Sequence, residues 1–414
     1  MAVCPVYQAS FRESDAPRGR LALLETLRRS AHGTRRLKEI LSRCLLCGAC
    51  ARVCANSVDT VSILQAGRSR LFRAHGGSMT GDLFAQGDWE AILSKRLVSK
   101  GGTLLQALVC RHIPQSSGLH IRFPLRFFTQ RKTIPALAEE SFIEAFGKNK
   151  PEKPTQTRVG LFVGCGANYL FPESAWALVE ILRRLDVTVI VPQAQGCCGL
   201  PAFVSGNDSR AATLARKNIE VFEQAGVDAV LTVCASCGSH LQGLARLFKK
   251  SPSWRRRAQA LADKHKDAMR FLVEDTRVAS LFKPSPVATG QRSLSVNRVA
   301  YHDPCHLRIG QGVVDAPREF LTMVPGVELV EASHPGRCCG HGGGFNLSHF
   351  PVSMEILEKR MTDFKSPAPD TIATGCTGCL LQFMEGMGRM TPEHQIRVCH
   401  PLVLAQQALL ESRL

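Results

Sequence analysis

The sequence contains no run of about 18 or more apolar residues, so no helix able to span a bilayer is expected. Its opening stretch, MAVCPVYQAS, lacks a basic segment followed by an apolar run, and with it the pattern of a secretory leader. No G-x-G-x-x-G follows a candidate strand. GLFVGCGANYL (160–170) has the wrong spacing, which excludes a dinucleotide site of that kind on this chain. No groove-reading motif accompanies the basic charge, so nucleic acid is not an expected partner. Nor is there an even number of cysteines: the seventeen present cannot all pair with one another. Without a leader the expected compartment is the reducing cytoplasm, where disulfide frameworks do not persist. So many thiols there point to metal or redox chemistry.

The 414 residues are enough for two or three domains, and 44% hydrophobic with 21% charged residues is an ordinary globular balance. The net charge of +17 is unevenly spread, because residues 1–157 carry 24 Lys/Arg against 12 Asp/Glu. HIRFPLRFFTQRK (His120 to Lys132) is the most basic aromatic stretch. It reads as a docking face for an acidic partner or an anionic membrane surface, or as a solvated linker.

Four segments emerge. Residues 1–66 hold a dense cysteine cluster. Residues 67–157 form a basic, nearly cysteine-free connector, expected to be helical, that closes on the Pro/Lys linker GKNKPEKPTQT. Residues 158–290 and 291–414 are two copies of one pattern. In the first copy RVGLFVGC is a strand ending at Cys165. ESAWALVEILRRLD follows with Leu178, Ile181, Leu182 and Leu185 at helical spacing. VTVIVPQ is a second strand that leads into Cys197 and Cys198. A second helix, NDSRAATLARKNIEVFEQAG, is capped by Asn207 or Asp208 and closed by Gly226. AVLTV then runs into Cys234-Ala-Ser-Cys237. The second copy reads RVAYHDPC, DAPREFLTMV, GVELVEA, CCG, VSMEILEKRMTDF and TIATGCTGC. The expected fold class is therefore α/β: two repeated parallel β-α-β-α-β units with right-handed crossovers, preceded by a small, mainly helical N-terminal module.

In both copies the cysteines fall just after strands: Cys165, Cys197, Cys198, Cys234 and Cys237, then Cys305, Cys338, Cys339, Cys376 and Cys379. The internal spacings are 32, 36 and 3 residues in the first copy and 33, 37 and 3 in the second. Loops at the carboxyl ends of parallel strands meet along one edge, so five sulfurs should converge in each repeat. Adjacent cysteines such as those of GCCG (196–199) and RCCG (337–340) are poorly placed to bridge each other. A buried thiol core and a zinc site are the simpler readings, but zinc takes four ligands and each set offers five. A cluster with several irons can take neighbouring thiolates on different metals, and soft all-sulfur coordination favours it. GHGGGFN (340–346) lacks the Lys-Ser/Thr of a phosphate loop and reads as packing around such a cluster. His302 and His306 flank Cys305 and read as satisfied loop residues, with donation to a cluster as the alternative. Cys110 and Cys399 stand alone and read as structural.

RCLLCGACARVC places Cys44, Cys47, Cys50 and Cys54 in the C-x2-C-x2-C-x3-C run of bacterial ferredoxins. In two-cluster ferredoxins the fourth cysteine of a run serves the other cluster. VCPVY supplies a Cys-Pro at Cys4, so one complete 4Fe–4S site would be Cys4, Cys44, Cys47 and Cys50. Cys54 is then left for a second cubane whose other ligands would lie upstream, unless it is itself the fourth ligand of a single run.

From Cys4 to about Leu404 the chain resembles the iron–sulfur subunits of glycolate and D-lactate oxidoreductases, including APRGR (16–20) between the ferredoxin halves. The two CCG repeats are similar to those of the CCG-bearing subunit of heterodisulfide reductase. That resemblance implies a noncubane 4Fe–4S cluster on each five-cysteine set, besides the N-terminal cubane. It also implies electron transfer from a separate FAD-binding oxidoreductase subunit, which oxidises a 2-hydroxy acid, toward a quinone or other acceptor. No flavin is expected on this chain, and a peripheral position on the inner face of the cell membrane is compatible with its basic charge. The absent first ferredoxin run departs from the pattern and puts the second cubane in doubt. Both C-x-x-C ends are intact, whereas some glycolate oxidase subunits lose one, which leans toward heterodisulfide-reductase-like catalysis as the alternative. A zinc-binding scaffold is the other alternative.

Overall fold

The computed structural model describes residues 2–29, 33–77, 110–112, 118–121, 133–149, 155–282, 296–387 and 396–411. The first repeat is built on four parallel strands: β4 (Thr157–Phe162), β5 (Val187–Ile190), β6 (Ala229–Thr232) and β7 (His265–Asp267). The second uses β8 (Asn297–Tyr301), β9 (Val327–Val330), β10 (Thr371–Ala373) and β11 (Arg397–Cys399). The orders β5-β4-β6-β7 and β9-β8-β10-β11 are the same arrangement twice. The sequence pattern implied three strands per repeat; each sheet has a fourth at its edge. His265-Lys266-Asp267 and Arg397-Val398-Cys399 carry no apolar run, and three residues are too few for an alternation to show.

Local signals set the helices. Asn207 accepts from the Arg210 amide at 3.1 Å and Gly226, at φ +57, ends the helix Asp208–Ala225. Along that helix Ala211, Leu214, Ala215, Asn218, Ile219 and Phe222 are buried, one face laid against β4 and β6. One continuous apolar core runs through both repeats, from Val159 and Leu161 to Val299, Phe320 and Leu402. The repeats meet directly where the Ala235 amide donates to Gly375 O at 2.8 Å.

The N-terminal module is helical: Pro5–Ser10, Pro17–Arg29, Arg35–Ser42, Ala49–Arg52 and Thr60–His75. Leu27, Leu37, Leu41, Leu46, Leu64 and Leu71 form its own small core. The boundary expected at residue 66 falls inside the last helix, which continues to His75. That helix docks on the first repeat, with Arg68 donating to Val204 O at 2.7 Å and Gln65 to Phe203 O. On its other side Cys4, Val6 and Leu45 pack with Phe345 and Ile356 of the second repeat. The module therefore straddles both.

The connector, expected to be helical, is described only in part: the helix Thr60–His75 runs into it and the helix Phe142–Gly147 lies near its end. Between them are three short antiparallel strands, β1 (Cys110–His112), β2 (Gly118–Ile121) and β3 (Thr133–Pro135). Ile121, Thr133 and Ile134 lie in these strands, and β-branched side chains favour extended backbone over helix. Most of the basic aromatic stretch 120–132, and residues 150–154 of the Pro/Lys linker, lie outside the described residues. Among the described residues, no helix is long and apolar enough to cross a membrane.

Candidate metal centre

The two doublets are held by equivalent turns with different fasteners. In the first repeat the Asn218 side chain accepts from the Gly196 amide at 2.8 Å and donates to Cys197 O at 2.9 Å. Gln195 spans Val163 N and Leu161 O, tying the loop to the end of β4. In the second repeat Ser353 donates to Gly340 O at 2.8 Å, within a buried group that includes Asn346 and Gln382. Gly199 and Gly340 both adopt left-handed backbone, φ +92 and +90, which a side chain would strain. That conformation turns the Gly199 amide to Cys197 Sγ at 3.5 Å and the Gly340 amide to Cys338 Sγ at 3.4 Å. In each doublet the first sulfur therefore receives a backbone donor.

The ten thiols make one continuous row. Cys165 touches Cys197, which touches Cys198, then Cys237 and Cys234. Cys234 contacts Cys376 across the seam between the repeats. The row continues through Cys379, Cys339 (3.4 Å from Cys379 Sγ) and Cys338 to Cys305. Read from either end, the order of motif positions is the same. The crowding shifts the acidity of every thiol in the row. Donation from neighbouring thiols holds Cys197, Cys234 and Cys338 well below the ordinary thiol range. Their neighbours Cys165, Cys198, Cys305 and Cys339 are pushed well above it by the same pairing and by burial. Ten such crowded sulfurs could all be deprotonated only with a positive partner, and all-sulfur donors suit iron or another soft metal. The donor set fits a polynuclear iron–sulfur group in each repeat.

The N-terminal thiols form a separate nest. One cavity is lined by Cys4, Cys44, Cys47 and Cys50, together with Pro5, Arg20, Gly48 and Thr60. Cys54, at the start of the turn after the helix Ala49–Arg52, does not line it. Cys47 is pushed well above the usual range, first by burial and then by the Cys338 thiolate. Cys305 feels Cys47 in the same way, so this nest faces the second repeat's cysteines. Gly342 of the glycine run leaves room for Leu45, so that run serves the approach of the module as well.

His302 is not a satisfied loop residue. It is buried, its Nδ1 has no hydrogen-bond partner among the described residues, and its ligand atom lies within 4.8 Å of those of Cys339 and Cys379. His306 Nδ1 is 3.7 Å from Cys305 Sγ and 3.5 Å from Ser236 Oγ. Cys399 is buried at the end of β11, away from the thiol row. Cys110 lies on β1. Sequence reasoning missed Arg20, Arg68, Ser236 and Thr377 beside the thiols. Arg20 and Arg68 stand far along the chain from the cysteines they approach, so no local pattern points to them, whereas Ser236 and Thr377 sit inside the C-x-x-C pairs and were accessible to it.

The cysteine-rich CCG domain family matches residues 159–242 and 299–384, and a 4Fe-4S dicluster domain family matches 1–58. Lactate utilization protein A of Geobacillus kaustophilus is 32% identical over 243 residues, 59% of this chain and 96% of that protein. The chain belongs to the CCG-domain iron–sulfur protein family. Within this family, the probable glycolate oxidase iron-sulfur subunit of Bacillus subtilis is 29% identical over 408 residues, 96% of this chain and 89% of that one. A subunit of the fumarate reductase (CoM/CoB) of Methanothermobacter marburgensis is 30% identical over 283 residues, 68% of this chain, and the match spans about half (52%) of its own length. Family membership supports iron–sulfur groups at these thiols over the zinc scaffold.

Proposed function

We propose that this CCG-domain protein is the electron-relay subunit of a flavin-dependent 2-hydroxy acid oxidoreductase. The likeness to glycolate oxidase and lactate utilization proteins supports that class. In this reading Cys4, Cys44, Cys47 and Cys50 hold a 4Fe–4S cubane. Cys165, Cys197, Cys198, Cys234 and Cys237 hold one noncubane cluster, and Cys305, Cys338, Cys339, Cys376 and Cys379 hold the other. When bound, such groups accept and release one electron at a time, as needed to drain a two-electron flavin on a separate subunit.

The carrying observation is the contiguity of the thiols. Cys47 faces Cys338 and Cys305 of the second repeat, and Cys376 of that repeat abuts Cys234 of the first. The relay thus runs from the N-terminal nest to the second repeat and then to the first, against chain order. Residues around the sites shape the transfer. The Gly199 and Gly340 amides and the Ser236 hydroxyl donate toward sulfurs, which favours the more reduced, more negative state. Quinone or another acceptor would take the electrons at the far end.

A second reading is favoured by the seam itself. Two five-thiol sets that touch at Cys234 and Cys376 could act together on a disulfide. The relationship to the fumarate reductase (CoM/CoB) subunit points the same way.

Iron, zinc and acid-labile sulfide on anaerobically purified protein provide the test. About twelve irons with matching sulfide are expected, four for each cluster. Cys197→Ala and Cys339→Ala should each remove iron from their own repeat and spare the N-terminal nest. Unchanged iron in both variants, or zinc without sulfide, would sink the reading. Reduction by a co-purified flavoprotein with a 2-hydroxy acid favours the relay; reduction of a disulfide to two thiols by the chain with an added chemical reductant, and no flavoprotein, favours the second reading.

A further inference from the structure

The N-terminal nest contains more buried positive charge than its own carboxylates explain. Arg20, the last residue of Ala16-Pro-Arg-Gly-Arg20, is only 1% exposed and lines the cavity with the four cysteines. Its Nη1 lies 4.0 Å from Cys4 Sγ and its Nη2 donates to Arg43 O at 3.3 Å. Its Nε–H is buried with no partner among the described residues. The carboxylate beside it is Asp15, 3.5 Å away and itself fully buried, and Asp15 is shared with Arg43 at 3.3 Å. Arg43 also has the rim carboxylate Glu39, at 3.9 Å.

A third guanidinium adds to the imbalance. Arg68 is fixed by donation to the carbonyls of Leu41 (3.1 Å) and Cys44. Among the described residues, three guanidiniums therefore stand against one inner and one rim carboxylate. An uncompensated buried cation costs several kcal/mol unless an anion meets it. The remaining anion must come from the thiolates of the nest and what they hold.

We propose that Arg20 is the charge partner of the N-terminal cluster, a positioning residue that raises its reduction potential and secures its Cys4 corner. This rests on the reading that Cys4, Cys44, Cys47 and Cys50 hold a 4Fe–4S group. Adding one electron makes that group more negative, and a fixed cation within about 4 Å in a poorly solvated site stabilises the added charge. Arg20 is suited to this because its guanidinium stays charged when buried and its fork is pinned by Arg43 O and Asp15. The nest would then be tuned upward relative to an uncharged pocket, which makes it a ready first acceptor from a reduced flavin.

The test is an EPR-monitored redox titration of the anaerobically purified full chain, with the N-terminal signal assigned by its loss in Cys50→Ser. Arg20→Met should lower that midpoint by at least tenfold in the reduction equilibrium, ~59 mV for one electron. Signals from the repeats should stay put. Arg20→Lys, which keeps the charge, should restore most of the shift. If Arg20→Met does not fold, Arg20→Gln, which keeps a donor for Arg43 O without the charge, takes its place, and the same downward shift is expected. An unchanged midpoint in a variant with full iron overturns the role of Arg20. A wild-type chain with no signal lost in Cys50→Ser overturns the cluster reading beneath it.

Discussion

Ser236 Oγ, inside the C-x-x-C of the first repeat, lies 3.0 Å from Cys376 Sγ, the leading cysteine of the C-x-x-C of the second. The contact is returned, since Thr377 of the second repeat hydrogen-bonds Cys234 of the first. Each repeat thus supplies a hydroxyl to a cysteine sulfur of the other. Removing the Ser236 hydroxyl should lower the potential of the second repeat's cluster, because a donor to thiolate favours the reduced state. A hydrogen bond to a charged group is worth about 1.5 kcal/mol, roughly tenfold in the reduction equilibrium. Potentiometry of Ser236→Ala against wild type reads this directly, and an unmoved midpoint would refute it.

Cys50 and Cys54 are four residues apart, yet only Cys50 lines the N-terminal cavity. Cys54→Ser should keep all the iron that the wild-type chain keeps. Cys50→Ser should lose about four irons per chain, one cluster's worth. Equal loss in both variants would return Cys54 to the ligand set.

Gly206 joins the module to the first repeat. Its φ is +93, and a Cβ there would meet the Arg68 carbonyl oxygen at 2.6 Å. Gly206→Ala therefore combines left-handed strain with a clash against backbone, a cost of roughly 3 kcal/mol. Thermal denaturation should show the loss, and the N-terminal iron should become more accessible to a chelator than the iron of the repeats. A variant as stable as wild type would mean that the module does not dock through this helix.

His265 is buried in β7, with its Nε2 3.0 Å from Thr232 Oγ1. Burial lowers its pKa from 6.5 to about 4, so the folded chain keeps it neutral where the unfolded chain would protonate it. The unfolded state then binds the extra proton between those values, and stability falls as pH drops through that window. Going from pH 7 to pH 5 should cost about 2 kcal/mol through this residue alone. Denaturant melts of wild type and His265→Gln across that range would show a flatter profile in the variant; parallel profiles would contradict the assignment.

Much of this architecture was legible because cysteine spacing is a stiff signal. The matched intervals around Cys197/Cys198 and Cys338/Cys339 fixed the repeat, and the repeat fixed the sheet edge to which the thiols must go. Strands β7 and β11 were not legible, since three-residue edge strands such as His265–Asp267 carry no hydrophobic alternation. The Cys234–Cys376 contact was hidden for a different reason. Nothing in either copy's pattern says which way the two copies face. Arg20 was noted only as the end of APRGR, with no role, because burial of a charge is decided by Asp15 and Cys4, which are distant in the register of any helix.

The thiol row that crosses the seam also constrains how such a protein can be made. Cys234 and Cys376 are completed by each other's repeat, through Ser236 and Thr377, so neither half is a finished receptor for its inorganic core. A maturation factor delivering iron and sulfide would meet a whole receptor only after the last strand, β11, had joined its sheet. Biogenesis should then be all-or-none, with both halves charged together after synthesis ends.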